Sequence, residues 1–216
     1  MLKKKDLISL VQETRVFENP KVELEQYCID AGSVVDIAYF AGIEHDDIRN
    51  KLVIDLGTGT GRISIASAFI GAHAVIGVDI DRNALIIFKK NIDKLALGDV
   101  VFPICANVHQ FEFSRIFLSY HSEITTIMNP PFGVKKKKAD RAFLATAFSF
   151  SNIVYSIHLT GKKTHDFISN YAIKKGWIVD YYIPFNMLLE RAFLFHKYKS
   201  KKIDVQLYRF VKKRKK

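Results

Sequence analysis

Short β-rich segments alternate with segments of helical periodicity along most of this 216-residue chain. Strands separated by helices run parallel, so the alternation predicts an α/β fold with a mostly parallel sheet and helices on both faces. The last two predicted strands have no convincing helix between them, and we expect them to pair antiparallel. The predicted strands are residues 51–56, 74–78, 99–104, 124–128, 153–157, 177–183 and 203–210.

No internal repeat, low-complexity segment or linker divides the chain, so we predict one domain over residues 1–216. Within it we expect an N-terminal helical appendage (1–42), an α/β core (43–211) and a basic tail (212–216). Helical periodicity predicts helices at residues 2–16, 32–41, 61–70, 82–95, 141–150 and 165–175.

Two features of the first βα units indicate a nucleotide-like ligand. The first strand runs into a glycine-rich turn at residues 55–61 (DLGTGTG), where a ligand can approach the backbone. Its third glycine comes one residue too early for the G-x-G-x-x-G pattern of dinucleotide enzymes. Asp79 ends the second strand, where an acidic side chain binds ribose hydroxyls in such folds. Asp81 can share that task, but we favour it as the cap of the next helix.

The spacing Asp-x-Gly-x-Gly-x-Gly, with five βα units closed by an antiparallel pair, resembles the class I S-adenosylmethionine-dependent methyltransferases. The resemblance implies their Rossmann-like fold, a mostly parallel seven-stranded sheet with an antiparallel C-terminal strand. It also implies S-adenosylmethionine as the cofactor. A turn that is merely tight is the less favoured interpretation of the glycines.

The sequence Asn129-Pro130-Pro131-Phe132-Gly133 directly follows the fourth predicted strand. Prolines can simply end a strand, but that does not explain an amide and an aromatic ring beside them. The side-chain oxygen of Asn129 and the carbonyl of Pro130 can each accept one N–H of a conjugated amine, which turns its lone pair towards a methyl donor. Pro131 would hold that carbonyl in place, and Phe132 can stack on an extruded base.

The Asn-Pro-Pro-Phe motif (residues 129–132) resembles amino-methyltransferases of adenine, cytosine, guanine and protein glutamine. Further matches at residues 24–27 (LEQY), 154–158 (VYSIH), 195–197 (FHK) and 204–210 (DVQLYRF) narrow the resemblance to the methyltransferase-like-five family. Its members are ribosomal-RNA adenine-N6 methyltransferases. The resemblance implies an RNA substrate and, as in many members, a small zinc-binding activator protein as an obligate partner.

The family resemblance also implies site residues. The motif at residues 129–132 would carry catalysis. Two positions depart from the family: Ile29 replaces a frequent threonine, and Asn107 replaces the usual aspartate, so we expect weaker cofactor contacts there. The residues implied to bind the cofactor or line its pocket are Gln26, Tyr27, Asp55, Gly57, Thr58, Gly59, Asp79, Ile80, Asn107 and Asn129.

The third predicted strand is the expected docking site of the activator. In the usual strand order of this fold it lies at a sheet edge, and an apolar edge invites strand addition by another chain. Pro103 lacks an N–H, so it would have to face away from the partner.

Positive charge is concentrated in the last two fifths of the chain. Residues 1–129 hold 13 basic and 17 acidic side chains (net −4), whereas residues 130–216 hold 20 and 5 (net +15). This distribution favours a polyanionic partner, with nucleic acid ahead of acidic lipid. For the lysine run Lys135, Lys136, Lys137 and Lys138, we favour contact with RNA phosphates over a merely solvated loop. The interpretation of the terminal basic segment stays open.

Composition excludes several other classes of protein. A chain with 49% hydrophobic and 25% charged residues is globular rather than disordered. Cys28 and Cys105 cannot form a disulfide framework, and the seven histidines lack ligand-like spacing, so we predict no metal site. We find neither a membrane span nor a secretion signal and expect a cytoplasmic protein. Tyr155, His158 and Trp177 are expected in the core or pocket wall.

Three alternatives stay open at this point. They are N5 methylation of a protein glutamine, N2 methylation of guanine in RNA, and a non-catalytic RNA-binding module that kept the cofactor fold. The charge of residues 130–216 argues against a protein substrate. The intact motif at residues 129–132 argues against a mere binder, which has no use for paired acceptors.

Overall fold

The computed structural model describes residues 2–114, 117, 123–133, 139–190 and 200–213, and the structural statements below concern these residues. Their strands are β1 (Leu52–Leu56), β2 (Ala74–Asp79), β3 (Val101–Cys105), β4 (Ile124–Met128), β5 (Ile153–Leu159), β6 (Trp177–Glu190) and β7 (Ser200–Lys212). All seven form one sheet in the order β3-β2-β1-β4-β5-β7-β6.

The strand directions confirm the predicted Rossmann-like α/β fold. The first five strands pair in parallel, with Leu52 of β1 opposite both Ala74 of β2 and Ile124 of β4. β7 is antiparallel to both of its neighbours, β5 and β6. β2 and β3 lie on one side of β1, and β4 lies on its other side, so the direction in which successive strands are added reverses between β1 and β4. This reversal places the carboxyl ends of β1 and β4 next to each other.

The described helices are α1 (Lys4–Gln12), α2 (Ala31–Tyr39), α3 (Arg62–Ile70), α4 (Arg82–Lys94), α5 (Ala139–Phe150) and α6 (Lys162–Lys174). Helix α2 begins after Asp30, whose carboxylate accepts hydrogen bonds from the N–H and hydroxyl of Ser33. Helix α4 begins after Asp81, which caps it as predicted by accepting from the N–H of Asn83. In the part of the chain that the structure describes, no helix is long and apolar enough to cross a membrane.

Each face of the sheet packs against its own apolar cluster. On one face, Val53 of β1 and Val75 of β2 belong to the same buried cluster as Leu7 and Val11 of α1. On the other face, Ile54 belongs to a second cluster, as expected for successive strand residues that point to opposite faces. The N-terminal segment therefore contributes to the core of the sheet domain.

The C-terminal hairpin is longer than the sequence pattern predicts. β6 continues beyond residue 183 to Glu190, and its pairing with β7 extends from Pro184 opposite Gln206 to Glu190 opposite Ser200. We expected the strand to end before the proline. However, β6 is an edge strand, and a proline there can lack its N–H without the loss of a hydrogen bond between strands. Met187 in the extension is fully buried in the cluster that contains α2, and this burial stabilises the longer hairpin.

β3 lies at a sheet edge as predicted, but Pro103 faces the open side of that edge. The carbonyl of Val100 accepts from the N–H of Val75, and the N–H of Ala106 donates to the carbonyl of Asp79. Even-numbered residues of β3 therefore point their backbone groups towards β2, and odd-numbered ones point away. Pro103 therefore faces the side on which none of the described strands lies, and a partner strand would have to pair on that side. The expectation that Pro103 would face away from such a partner is wrong.

Candidate active site

A cavity of about 270 Å³ lies at the carboxyl ends of β1, β2 and β4. Ligands of open α/β sheets bind in the crevice where the chain order reverses, which here is between β1 and β4. The loops after these strands and the segment before α2 form the cavity wall. The predicted site residues in this wall are Gln26, Tyr27, Gly57, Thr58, Gly59, Asp79, Ile80, Asn107, Asn129 and Pro131.

The glycine-rich loop requires residues without a Cβ at two points. Gly57 and Gly59 have φ angles of 74° and 56°, in the left-handed region that favours glycine. A Cβ on Gly57 would lie 2.9 Å from the ring of Phe143, and one on Gly59 would lie 2.8 Å from the ring of Phe17. Both phenylalanines line the cavity. No sequence pattern indicated these two rings, because they are distant from the loop along the chain.

Asp55 lies beneath the glycine-rich loop and not in the cavity wall where we placed it. Its Oδ2 accepts hydrogen bonds from the hydroxyl of Thr58 at 2.8 Å and from the N–H and hydroxyl of Ser64 at 3.0 and 2.7 Å. Complete burial raises the pKa of the Asp55 carboxyl to about 6, although these hydrogen bonds oppose the rise. The geometry assigns Asp55 to holding the loop against the start of α3.

Asp79 lies in the cavity wall at the end of β2. Its Oδ2 accepts from the N–H of Gly59, and its Oδ1 accepts from the N–H of Asp81, both at 2.8 Å. Partial burial raises the pKa of its carboxyl, and the two N–H groups oppose the rise. A carboxylate oxygen can accept more than one hydrogen bond, so both oxygens can also accept from ligand hydroxyls.

Gln26 and Asp81 join the N-terminal segment to the start of α4. The amide nitrogen of Gln26 donates to Asp81 at 2.7 Å, and its oxygen accepts from the N–H of Lys21 at 2.7 Å. The ammonium of Lys21 lies 2.8 Å from the same Asp81 carboxylate. Burial opposes ionisation of Asp81, but the bonds from Gln26 and Lys21 hold the pKa of its carboxyl below the usual range. The polar atoms of Gln26 thus shape the wall through Asp81.

The Asn-Pro-Pro-Phe motif enters the cavity directly after β4. Asn129 is partly buried in the wall, and its Nδ2 donates to the hydroxyl of Tyr27 at 3.3 Å. Pro130 is buried, whereas Pro131 lines the cavity. The ring of Phe132 stacks on that of Tyr27, with 5.7 Å between centroids and 24° between planes. The structure therefore brings Asn129 and Pro131 to the same cavity as the glycine-rich loop, whereas Pro130 and Phe132 are not among the residues that line it.

Known proteins match this chain over part or nearly all of its length. A family model described as ribosomal protein L11 methyltransferase (PrmA) matches residues 40–110. The rRNA N(6)-adenosine-methyltransferase METTL5 of Danio rerio is 38% identical over 216 residues, which cover 97% of this chain and 99% of the relative. The corresponding Drosophila melanogaster protein is 35% identical over 97% of this chain and 96% of the relative. The chain belongs to the METTL5 family.

A solved structure agrees with the METTL5 assignment. The crystal structure of a candidate RNA methyltransferase from Pyrococcus horikoshii has a TM-score of 0.87 and 33% sequence identity to this chain. It covers 99% of this chain, which in turn covers 100% of that structure. The family resemblance predicted from the motifs at residues 24–27, 129–133 and 204–210 is therefore confirmed.

One of the two departures from the METTL5 pattern lies beside a buried cation that the sequence analysis missed. Ile29 is 6% exposed and lines the cavity. Nη1 of Arg62 donates to the carbonyl of Ile29 at 2.6 Å, and Nε donates to the hydroxyl of Thr14 at 3.2 Å. Arg62 also lines the cavity. Its position directly after the glycine-rich loop was the signal that could have identified it.

Asn107, the second departure, also lies in the cavity wall. Its Oδ1 accepts from the N–H of His109 at 3.0 Å and caps a short 3₁₀ turn at Val108–Gln110. We expected Asn107 to bind the cofactor through this oxygen. The oxygen already accepts one hydrogen bond and has capacity for a second.

Three further residues from the sequence analysis lie outside the cavity wall. Tyr155, His158 and Trp177 are buried, at 0, 3 and 2% exposure, which confirms the expectation of core positions. Nε2 of His158 lies 2.8 Å from the hydroxyl of Ser156, and burial lowers the pKa of His158 to about 3. His158 is therefore neutral near pH 7. The lysine run 135–138 lies outside the described residues.

Proposed function

We propose that this protein transfers a methyl group from S-adenosylmethionine to the exocyclic N6 amine of adenosine in ribosomal RNA. The observation that carries the proposal is Asn129 beside Asp79 and the glycine-rich loop in one cavity. The zebrafish, fly and Caenorhabditis elegans relatives are named rRNA N(6)-adenosine-methyltransferases. The net charge of +15 over residues 130–216 supports an RNA substrate.

The cavity has the features that S-adenosylmethionine requires. Asp79 would accept from the ribose hydroxyls, and the methionine tail would lie along the backbone of Gly57 and Gly59, which lines the cavity. Ile80 and Asn107 would adjoin the adenine ring. When bound, S-adenosylmethionine supplies a methyl group made electrophilic by the positive sulfonium.

The residues of the motif would prepare the amine of the target base. The lone pair of an exocyclic amine is delocalised into the ring, so the amine is a poor nucleophile. Asn129 Oδ1 and the Pro130 carbonyl would each accept one N–H and direct the lone pair towards the methyl group. Phe132 would stack on the extruded base. This is catalysis by positioning and electrostatics.

No general base is required before methyl transfer. Both acceptors in the motif are neutral, and the amine becomes acidic once it is methylated, so its proton can leave afterwards. His158 is buried and neutral, which agrees with a mechanism that does not use it. Tyr27 also stays neutral, since burial raises the pKa of its hydroxyl.

The match to the ribosomal protein L11 methyltransferase model does not favour a protein substrate. It covers residues 40–110, which include β1, β2 and β3, and it ends before Asn129. It therefore concerns the half of the sheet that would bind the cofactor. The base-binding motif lies within the match to the METTL5 relatives, which extends over nearly the whole chain.

Tritiated methyl transfer to ribosomes and to total RNA, followed by nucleoside analysis, tests the proposed function. We expect the label in N6-methyladenosine and its loss from ribosomes after ribonuclease treatment. Label in N2-methylguanosine would favour the guanine alternative, and label that resists ribonuclease would favour protein glutamine. No transfer to any of these substrates would favour an RNA-binding module.

We further propose that a small zinc-binding activator docks at the β3 edge, as the family resemblance implies. Phe102 is 44% exposed at this edge and offers apolar contact. Pro103 interrupts the N–H groups on the open side of β3. The contact would therefore depend on exposed side chains and free carbonyls more than on a continuous strand ladder.

A further inference from the structure

An open groove of about 510 Å³ lies between α6 and β6, away from the active site. His165, Ser169 and Ile173 line it from α6, and their spacing of four residues places them on one face of that helix. Ile178 and Tyr182 line it from β6. Ile173, Ile178 and Tyr182 are 55, 38 and 51% exposed, so the groove presents apolar and aromatic surface to solvent.

The ring of Tyr182 is supported by two other rings on its protein side. Its centroid lies 4.6 Å from that of His165 and 6.1 Å from that of Tyr208, with 25° between the two tyrosine planes. Tyr208 is fully buried, and its hydroxyl donates to Gln206 at 2.7 Å and lies 3.3 Å from Nδ1 of His165. Tyr182 is therefore a half-exposed ring in a fixed position, as stacking on a nucleobase requires.

Four exposed lysines lie beyond one end of the groove. Lys174 and Lys175 are at the end of α6, and Lys212 and Lys213 are at the end of β7. The N–H of Lys213 donates to the carbonyl of Gly176 at 2.9 Å, which brings the two pairs together. The terminal basic segment, whose role the sequence left open, thus begins beside the end of α6.

Acidic side chains do not balance this charge. Residues 167–179 and 205–213 contain five basic and no acidic residues. Asp180 lines the groove, but its carboxylate pairs with Arg209. Within the part of the chain that the structure describes, none of the four lysines forms an ion pair. An aromatic groove with a positive end is complementary to a single-stranded nucleic acid.

The adjoining sheet edge is poorly suited to strand addition by a protein partner. β6 is the last strand of the sheet, but its register shifts between Val179 and Tyr181, and Pro184 lacks an N–H. Bulges and prolines on an edge strand oppose pairing with another chain. A ligand of this surface would therefore contact side chains more than the backbone, which favours nucleic acid over an added strand.

We propose that the groove and the four lysines form a second RNA-binding surface, where Tyr182 stacks on an unpaired base and the lysines bind flanking phosphates. This inference rests on the proposed function, because it takes RNA as the substrate. β7 runs from Val205 beside Leu159 at the end of β5 to Val211 beside Ile153 at its start. The lysines therefore lie roughly 20 Å from the carboxyl edge of the sheet, so the bound RNA extends at least that far beyond its target adenosine.

Replacing the four lysines with serine tests the phosphate contacts. The probe is polyuridine, which is single-stranded and contains no adenosine to be methylated. We expect weaker binding and a salt slope lower by about 0.7 for each lysine that pairs with a phosphate. Serine at Lys3, Lys4 and Lys5 is the charge control. The affinity for S-adenosylmethionine should stay unchanged in both variants, which reports an intact fold.

Tyr182→Ala and Tyr182→Phe test the stacking contact. Removal of the ring should weaken polyuridine binding about five- to a hundredfold, the scale of one base stacked on an aromatic side chain, without changing the salt slope. Tyr182→Phe keeps the ring and should bind as wild type does. Unchanged affinity for S-adenosylmethionine in Tyr182→Ala would show that the loss is local.

Several results would overturn the inference. They are unchanged polyuridine binding in the four-lysine variant or in Tyr182→Ala, and an equal loss in Tyr182→Phe and Tyr182→Ala. Tighter binding to phosphatidylserine vesicles than to polyuridine through the same lysines would favour a membrane, and wild-type dimers that Tyr182→Ala dissociates would favour a contact between copies. Polyuridine binding as expected without methylation of adenosine would instead overturn the proposed function and support this surface.

Discussion

The backbone N–H of Gly59 donates a hydrogen bond to Oδ2 of Asp79 at 2.8 Å. This bond joins the loop after β1 to the end of β2, so the two sequence motifs for cofactor binding form one structural unit. The other oxygen of Asp79 accepts from the N–H of Asp81, which extends the unit to the start of α4. A change at Asp79 should therefore affect both the ligand contact and the loop.

Asp79→Ala should weaken S-adenosylmethionine binding by about 1.5–3 kcal/mol, because two ribose hydroxyls lose a charged acceptor. Isothermal titration calorimetry measures the change. The control is Asp93→Ala, which removes an exposed carboxylate of α4 that pairs with Lys89. Unchanged affinity in Asp79→Ala would contradict the ribose assignment. Asp81 would not replace it readily, since its carboxylate is bound to Gln26 and Lys21.

Asp55→Asn should change how stability depends on pH. Burial raises the pKa of the Asp55 carboxyl from 3.8 to about 6. A carboxyl with a higher pKa in the folded state stabilises the fold when protonated, and this stability is lost as the pH rises through about 6. Relative to the variant, the wild-type free energy of unfolding should fall by about 1–3 kcal/mol between about pH 4 and pH 7.

Urea unfolding of both proteins at several pH values measures this difference. Parallel stability curves for wild type and Asp55→Asn over the same pH range would show that Asp55 is ionised in the fold without cost. The loop assignment would then rest only on the hydrogen bonds to Thr58 and Ser64.

The cofactor side of the site was predictable because its signals are local in the sequence. Gly57, Gly59 and Asp79 each lie at or just after the end of a strand, and parallel strands place their carboxyl ends at one edge. Asn129 follows the same rule after β4. The strand order then places all four residues at one cavity without any further information.

The rest of the site depends on contacts between residues that are distant along the chain. Phe17 and Phe143 enclose the glycine-rich loop from the N-terminal segment and α5, and no spacing rule relates them to it. Whether Pro103 faces β2 or the open edge depends on which alternate residues of β3 form hydrogen bonds with β2, and the composition of the strand does not specify this. The extension of β6 past Pro184 depends on its edge position and on the burial of Met187.

Replacing the lysine run 135–138 with serine should weaken RNA binding to a similar extent for all sequences. Phosphate contacts position the nucleic acid without specifying its sequence, and removal of each lysine–phosphate pair should lower the salt slope by about 0.7–0.9. Binding titrations at several salt concentrations measure the slope. Serine at Lys3, Lys4 and Lys5 is the charge control. An unchanged salt slope after replacement of residues 135–138 would favour the interpretation of these lysines as a solvated loop that does not contact RNA.

Phe102→Lys tests the activator surface at the β3 edge. If this edge is normally covered, the charge should make the isolated chain more soluble and remove activation by the zinc-binding partner, while S-adenosylmethionine affinity stays unchanged. Light scattering and methyl transfer with and without the partner measure these effects. A wild-type chain that is a soluble, fully active monomer alone would exclude an obligate partner.

Asn129→Asp examines the charge of the acceptor. The variant keeps an oxygen of similar size but places a negative charge beside the expected sulfonium, so we expect partial activity. Asn170→Ala, which removes an exposed amide from α6, is the control for amide loss in general. The same activity in Asn129→Asp and Asn129→Ala would show that an oxygen acceptor at this position contributes nothing.

The most direct test of the amine-positioning mechanism is the single-turnover rate of adenosine methylation by Asn129→Ala. The substitution removes one of two acceptors and leaves Asp79, the glycine-rich loop and the lysine run in place. S-adenosylmethionine and RNA should still bind, and the rate should fall roughly a hundredfold or more, as when one transition-state hydrogen-bonding group is removed. Methylation at the wild-type rate would contradict the mechanism and reduce the Asn-Pro-Pro-Phe motif to a turn that ends β4.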